Sequence, residues 1–297
     1  QPDGHFSEYC ADWLHRVASS DARVTLTVDQ LPPTVPRITY DELCEGEAAV
    51  WRVSALLGAY GAVMLSGVPL RDGQVADVAR RIGPVQPQIY GEVFDVRATR
   101  DPINVAYSTE AIEPHMDLCY YESPPGLQLL HCLEFEPMVE GGDSILIDGF
   151  KTAEAFRQRE PQGFADLCRI PATFIKDHSR RAQPVLMSYQ RPHIALDASR
   201  RVVGVFWSPP FEGPLRVPNE DVPRYYSAYR QLNAAIETAP RWQQRMVPGE
   251  LLLFNNRRML HGRTAIHVGP QGSARWLQGC YINIDEFANR YNQLRRL

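Results

Sequence analysis

At 297 residues and 44% hydrophobic content, the chain is long enough for one large catalytic domain or two ordinary ones with buried cores. Its 31 Lys+Arg against 35 Asp+Glu give a net charge of −4 with no long basic run to track a phosphate backbone, so a nucleic-acid partner is not expected. No apolar stretch approaches the roughly 18 residues that span a bilayer, and six singly scattered cysteines, Cys10, Cys44, Cys119, Cys132, Cys168 and Cys280, signal neither a zinc knuckle nor a disulfide scaffold.

The start Gln1-Pro2-Asp3-Gly4-His5 does not read as a signal peptide, and the missing initiator Met fits removal of residues upstream. A cytoplasmic setting and a small-molecule partner are expected, with a homodimer left open. Apolar positions recur at helical spacing at Tyr9, Trp13 and Leu14, at Val50, Val53, Leu56 and Leu57, and at Val75, Val78 and Ala79. Between the last two, Gly61-Ala62-Val63-Met64-Leu65-Ser66-Gly67 is an apolar run bounded by glycines and predicts a buried strand. The first part, to about residue 85, is therefore expected to be a helical flank around one strand.

From about residue 103 the texture changes to short strand-like runs at 103–108, 127–135, 144–148, 202–207, 250–254 and 275–284. Turns such as Gly141-Gly142-Asp143 and Pro248-Gly249 separate them. That is the habit of an antiparallel jelly roll or barrel. A helical insert at about 220–238 carries Tyr225, Tyr229, Leu232 and Ile236 along one stripe, which suits core packing. Without repeats, low-complexity segments or a linker, the expectation is a single mainly β domain over 1–297 with flanking helices.

His115-Met116-Asp117 places an imidazole and a carboxylate two residues apart, and in an extended chain positions i and i+2 project to the same side. Far downstream, after Asn255-Asn256, His261-Gly262 offers a third ligand. Two histidines and one carboxylate on one face of an iron leave the other face open for a chelating cosubstrate and O2. The H-x-D tripeptide is common by chance, so its context decides. His131 lies in an apolar run and reads as a core histidine. His5, His15, His178, His193 and His267 have no carboxylate at ligand spacing and read as surface or structural.

The context is the run from Arg275 to Asn283, in which alternation puts Arg275, Leu277, Gly279 and Tyr281 on one face. A guanidinium binds a carboxylate bidentately. Arg275 is thus the expected anchor for the distal carboxylate of 2-oxoglutarate, whose keto-acid end would chelate Fe(II). A cupin-like metal-binding protein without turnover would need no such anchor. A zinc hydrolase would need a general-base Glu, which H-x-D does not bring.

At these residues the sequence resembles the family of γ-butyrobetaine hydroxylase and trimethyllysine hydroxylase, within the taurine-dioxygenase-like oxygenases. The shared pieces are Asn104-Val105-Ala106-Tyr107-Ser108 before His115-Met116-Asp117, Pro125-Gly126-Leu127-Gln128-Leu129-Leu130-His131-Cys132, and Gly141-Gly142-Asp143-Ser144 with Asp148-Gly149-Phe150. Asn256-Arg257-Arg258-Met259-Leu260-His261-Gly262-Arg263 follows, then Arg275 and Gln278-Gly279-Cys280-Tyr281. The resemblance implies a distorted double-stranded β-helix, or jelly roll. It also implies an Fe(II)/2-oxoglutarate-dependent dioxygenase that uses O2 to hydroxylate, desaturate or cyclise a substrate.

The implied substrate is a small amine, amino acid or quaternary-ammonium compound, held in a pocket walled by Tyr90, Phe94, Tyr107 and Tyr281, with Asn104 donating to a polar end. Phe94 stands where a Trp is usual, and Trp attracts a cation most strongly, so a cation cage is weakened here. Phe206-Trp207-Ser208-Pro209-Pro210-Phe211-Glu212-Gly213 replaces the family's usual Asn-Asn segment. The departure implies a new contact to any acidic end, for which Arg191 is a candidate, and a poor fit to γ-butyrobetaine.

Overall fold

The run 127–135 is apolar at nearly every position, which suits a strand covered on both faces. In the computed structural model, which describes residues 4, 6, 8–12, 14, 32–97, 109–180, 183–267 and 275–296, Leu127–Phe135 lies inside the larger of two main sheets. That sheet runs in the order Arg37–Thr39, Ala62–Ser66, Leu251–Asn255, Leu127–Phe135, Arg275–Ile282, Phe94–Arg97. Its first pair is parallel and the others are antiparallel. The smaller sheet, antiparallel throughout, has the order Arg241–Gln244, Ser144–Asp148, Met259–Arg263, Ile112–His115.

The period of two along Leu251–Asn255 shows how the layers form. Leu252 and Phe254 pack with Leu146, Trp242 and Met259 of the smaller sheet, forming the core between the sheets. Leu251 and Leu253 face the other way. They join Val53 and Leu57 of the helix Glu47–Tyr60, Val78 of Gln74–Ile82 and Phe287 of Ile284–Leu294. A third core gathers Phe156, Phe164, Tyr225 and Leu232 of the helices Gly149–Arg159, Pro161–Arg169 and Val222–Glu237 with Phe174 and Trp207.

The strands expected at 127–135 and 144–148 lie at those residues, and the insert at 220–238 is the helix Val222–Glu237. The run 202–207 is strand only over Val202–Val205. The run 275–284 stops at Ile282, because the Asn283 side chain accepts from Asp285 N and starts a helix instead. The strand expected within Gly61–Gly67 is Ala62–Ser66, and the first part adds a second strand, Arg37–Thr39, beside it at the edge of the larger sheet. The run 103–108 and Trp13 lie outside the described residues.

One buried ion pair ties three elements together. Asp148 ends its strand and caps the next helix, its Oδ1 accepting from Phe150 N at 3.1 Å and Lys151 N at 3.2 Å. Its Oδ2 accepts from Arg258 Nη2 at 2.7 Å, and Arg258 also donates to the Gly58 and Ala59 carbonyls near the end of the helix Glu47–Tyr60. Both charged side chains are 2% exposed. Arg258→Ala leaves a buried carboxylate without its cation and should cost about 3–5 kcal/mol, read as a lower denaturation midpoint. A loss no larger than that of a surface substitution, about 0.5 kcal/mol, would show that the pair does not hold these elements.

Candidate metal centre

The two candidate histidines reach one point because their strands are neighbours in the smaller sheet. His261 pairs in register with His115, and their ring centroids lie 4.3 Å apart. Gly262 permits the approach, since a Cβ there would stand 2.4 Å from the Ile112 carbonyl oxygen. His115 Nδ1 donates to the Glu113 carbonyl at 2.9 Å, which turns the Nε2 lone pair toward the site.

Asp117 lies just past the strand Ile112–His115, so strand alternation is not what aims it. Three contacts do so instead. Met116 N donates to the Trp207 carbonyl at 2.7 Å. Asp117 N donates to Asn256 Oδ1 at 3.0 Å, and Asn256 Nδ2 returns a bond to the Asp117 carbonyl at 3.2 Å. Leu118 then turns the chain with φ of 60°, in the left-handed region that a branched residue adopts only under constraint.

The carboxylate itself is oriented from the larger sheet. Gln128 and Tyr281 are cross-strand partners, and both donate to Asp117 Oδ2, Gln128 Nε2 at 2.9 Å and Tyr281 Oη at 2.7 Å. Burial disfavours charge on Asp117, but the two imidazoles outweigh it and hold the carboxyl well below its ordinary range. Burial and the Asp117 charge raise the Tyr281 phenol, which stays protonated and donates.

His115 Nε2 lies 3.2 Å from Asp117 Oδ1, and His261 Nε2 lies 3.5 Å from Oδ2. One ligand atom from each residue falls within 4.8 Å of the others. Donors about 2.1 Å from a first-row metal at right angles stand about 3 Å apart, so the set fits one ion on adjacent coordination positions. Two nitrogens and a carboxylate oxygen suit Fe(II).

These groups border a cavity of about 90 Å³ whose apolar walls include Phe94, Val96, Leu130 and Leu277 and whose cations are Arg263 and Arg275. Arg275 is 7% exposed, and its Nη2 donates to the Gly142 carbonyl at 3.1 Å. Its Nε has no hydrogen-bond partner, and among the described residues it forms no ion pair. Burial, and then the charge of Arg263, push its pKa down to about 10. Such a cation fits the far carboxylate of 2-oxoglutarate, which would offset both the desolvation and the repulsion.

Phe94 stacks on Tyr281 at 5.1 Å between ring centroids, and Tyr90 lies 6.4 Å from Phe94. Gly279 makes room for the Phe94 ring, because a Cβ there would lie 2.3 Å from it. Asn104 and Tyr107 lie outside the described residues. Arg191 donates to the Tyr121 and Glu122 carbonyls and packs on Tyr189 and Phe206, so it braces that loop. His131 and His193 are fully buried, and His193 bonds the Phe206 carbonyl and Tyr225 Oη.

Sequence reasoning gave no role to Gln128 or Asn256. Gln128 and Asn256 stand inside the shared motifs, so a polar residue amid Leu127-Gln128-Leu129 was the available signal.

The profile of the taurine catabolism dioxygenase TauD, TfdA family matches residues 27–281. γ-Butyrobetaine dioxygenase from Pseudomonas sp. (strain AK-1) is 31% identical over 305 residues, which cover 99% of this chain and 77% of that protein. Mitochondrial trimethyllysine dioxygenase from Bos taurus is 26% identical over 310 residues, covering 97% and 69%. Among solved structures, a taurine dioxygenase from Burkholderia xenovorans is similar in fold with a TM-score of 0.62 at 14% identity, covering 86% of this chain and 90% of that one. An asparagine oxygenase in complex with Fe(II), 2S,3S-3-hydroxyasparagine and succinate gives 0.59 at 16%, covering 88% and 94%.

His115→Ala, Asp117→Ala and His261→Ala should each abolish the weak visible absorption band expected of anaerobic protein with Fe(II) and 2-oxoglutarate. A variant that keeps the band removes its residue from the ligand set. Tyr281→Phe and Gln128→Leu each delete one donor to Asp117, and each should weaken metal binding about 10–100-fold in a calorimetric titration.

Proposed function

The chain belongs to the taurine catabolism dioxygenase TauD, TfdA family, and from that membership we propose that His115, Asp117 and His261 hold its Fe(II) while Arg275 anchors its 2-oxoglutarate. It is a 2-oxoglutarate-dependent dioxygenase using Fe(II), 2-oxoglutarate and O2. The observation that carries the residue assignment is one cavity bordered by two imidazoles and a carboxylate together with a buried guanidinium, Arg275, that forms no ion pair among the described residues. A protein that only stored metal would not need that guanidinium.

When bound, the iron and 2-oxoglutarate supply the oxidising power for attack on a substrate C–H bond, with succinate and CO2 leaving. The protein's part is positioning. His115 and His261 present Nε2, and Asp117 is steered by Gln128, Tyr281 and Asn256. Phe94, Val96, Leu130 and Leu277 keep water from the cavity.

The substrate is a small amine, amino acid or quaternary-ammonium compound, hydroxylated, desaturated or cyclised. The similarity to γ-butyrobetaine dioxygenase and trimethyllysine dioxygenase and the aromatic wall of Tyr90, Phe94 and Tyr281 support this class. The fold is a distorted double-stranded β-helix forming one domain over 1–297, a reading supported by two largely antiparallel sheets packed face to face. A cytoplasmic setting is supported by six free cysteines. Among the described residues no helix is long and apolar enough to cross a membrane.

Succinate formation that requires both Fe(II) and 2-oxoglutarate tests the reading, and its absence under every condition would sink it. Arg275→Ala should raise the 2-oxoglutarate concentration for half-maximal turnover about thirtyfold or more, the effect of leaving one buried charge unpaired. An unchanged requirement would move the anchoring role to Arg263.

A further inference from the structure

Arg275 shares its packing with a second arginine, Arg245, which does not border the cavity. Arg275 opens the strand Arg275–Ile282 in register with Phe135, the last residue of Leu127–Phe135. Its guanidinium carbon lies 5.2 Å from the centroid of the Phe135 ring, and that of Arg245 lies 3.8 Å from the same centroid. Arg245 also grips the segment that follows Phe135. Its Nη2 donates to the Glu136 carbonyl at 3.0 Å, and its Nη1 donates to the carbonyls of Val139 at 2.8 Å and Gly141 at 3.2 Å. The next carbonyl, that of Gly142, is the one to which Arg275 Nη2 donates at 3.1 Å.

The fit around Arg275 is close. Gly142 has a φ of 74°, and a Cβ there would stand 3.0 Å from Arg275 Nε and 3.1 Å from Phe135 Cζ. On its other side the turn is pinned by Gly142 N, which donates to the Ala265 carbonyl at 3.0 Å. Burial, Arg263 and then Arg245 push the pKa of Arg275 down to about 10. Arg245 is thus a repulsive neighbour, and its hydrogen bonds rather than its charge favour the arrangement. An arginine has several bonds to freeze, and a carboxylate that meets it bidentately needs the plane of the fork set. Immobilising a free side chain on binding costs up to about tenfold in affinity, a loss that a side chain fixed beforehand avoids.

We propose that Arg245 is a positioning residue for 2-oxoglutarate, fixing the Phe135 ring and the turn Glu136–Gly142 so that the Arg275 guanidinium is preset for the distal carboxylate. This rests on the anchoring role of Arg275 given above and names the group that acts through it.

The test compares two ligands on anaerobic protein loaded with Fe(II). 2-Oxoglutarate and 2-oxobutanoate are each titrated calorimetrically, the second keeping the chelating keto acid without the distal carboxylate. Arg245→Met leaves a side chain against Phe135 and removes the bonds to Glu136, Val139 and Gly141. It should weaken 2-oxoglutarate about tenfold and leave 2-oxobutanoate within about twofold of wild type. Added to Arg275→Ala, it should weaken 2-oxoglutarate by no more than about twofold further, the non-additivity of a group that acts through its neighbour. A merely structural arginine would weaken both ligands alike, and a direct pull of its charge on the cosubstrate would persist without Arg275. Either result overturns the proposal, as does a folded Arg245→Met with wild-type affinity for 2-oxoglutarate. If Arg245→Met does not fold, Arg245→Lys decides. It keeps the charge without the planar fork, and it should still weaken 2-oxoglutarate at least about threefold while sparing 2-oxobutanoate. Wild-type affinity for 2-oxoglutarate in that variant overturns the proposal. An Arg275→Ala protein that binds 2-oxoglutarate as wild type does strikes the anchoring role itself and the proposal with it. Loss of binding in Arg275→Ala with no effect of Arg245 strikes the proposal alone.

Discussion

The register between Ile112–His115 and Met259–Arg263 is the constraint on which the site depends. Pairing His115 with His261 brings together two imidazoles that are far apart along the chain. A slip of one residue would turn one ring to the opposite face of the sheet. Two features resist that slip. The backbone approaches so closely at Gly262 that a side chain there would strike the Ile112 carbonyl, and the pairing shifts between His261 and Arg263. Met259 is also buried between the sheets.

The third proposed ligand follows a different logic. Asp117 sits on a turn, where a carboxylate could adopt several rotamers, and the larger sheet selects one through Gln128 and Tyr281. The smaller sheet thus supplies the imidazoles and the larger sheet aims the carboxylate, so face-to-face packing of the sheets is itself part of the proposed metal centre. Asn256 links the two tasks. It stands between the strands Leu251–Asn255 and Met259–Arg263, one from each sheet, and holds the Asp117 backbone at both its N–H and its carbonyl.

Buried positive charge is distributed unevenly around this centre. Arg263 and Arg275 border the cavity that holds the ligands, Lys176 lies among the rings beyond Tyr281, and Arg258 is neutralised by Asp148 within the scaffold. A buried cation that forms no ion pair, as Arg275 among the described residues, is costly, and sites that bind anions are where that cost has a use. The placement of Arg275 suits a dicarboxylate cosubstrate.

Ligand chemistry was legible in the residues alone, because imidazole, carboxylate and guanidinium carry their donor properties wherever they stand. His115, Asp117, His261 and Arg275 could be singled out for that reason. Leu127–Phe135 and Ser144–Asp148 were legible as strands because their apolar runs are short, dense and bounded by turn residues. The hairpin of Pro171–Asp177 with Leu186–Pro192 was not, since its second strand, Leu-Met-Ser-Tyr-Gln-Arg-Pro, is mixed in polarity and only partly buried. The helices Gly149–Arg159 and Pro161–Arg169 had start signals in Asp148 and Pro161, but their mixed composition hides the apolar face. Only the tertiary structure decided that Gln128 and Tyr281 share one carboxylate oxygen and that Lys176 lies against Tyr90 and Phe211. Those contacts join residues many positions apart, and their distances come from sheet register and layer packing, which no local pattern encodes.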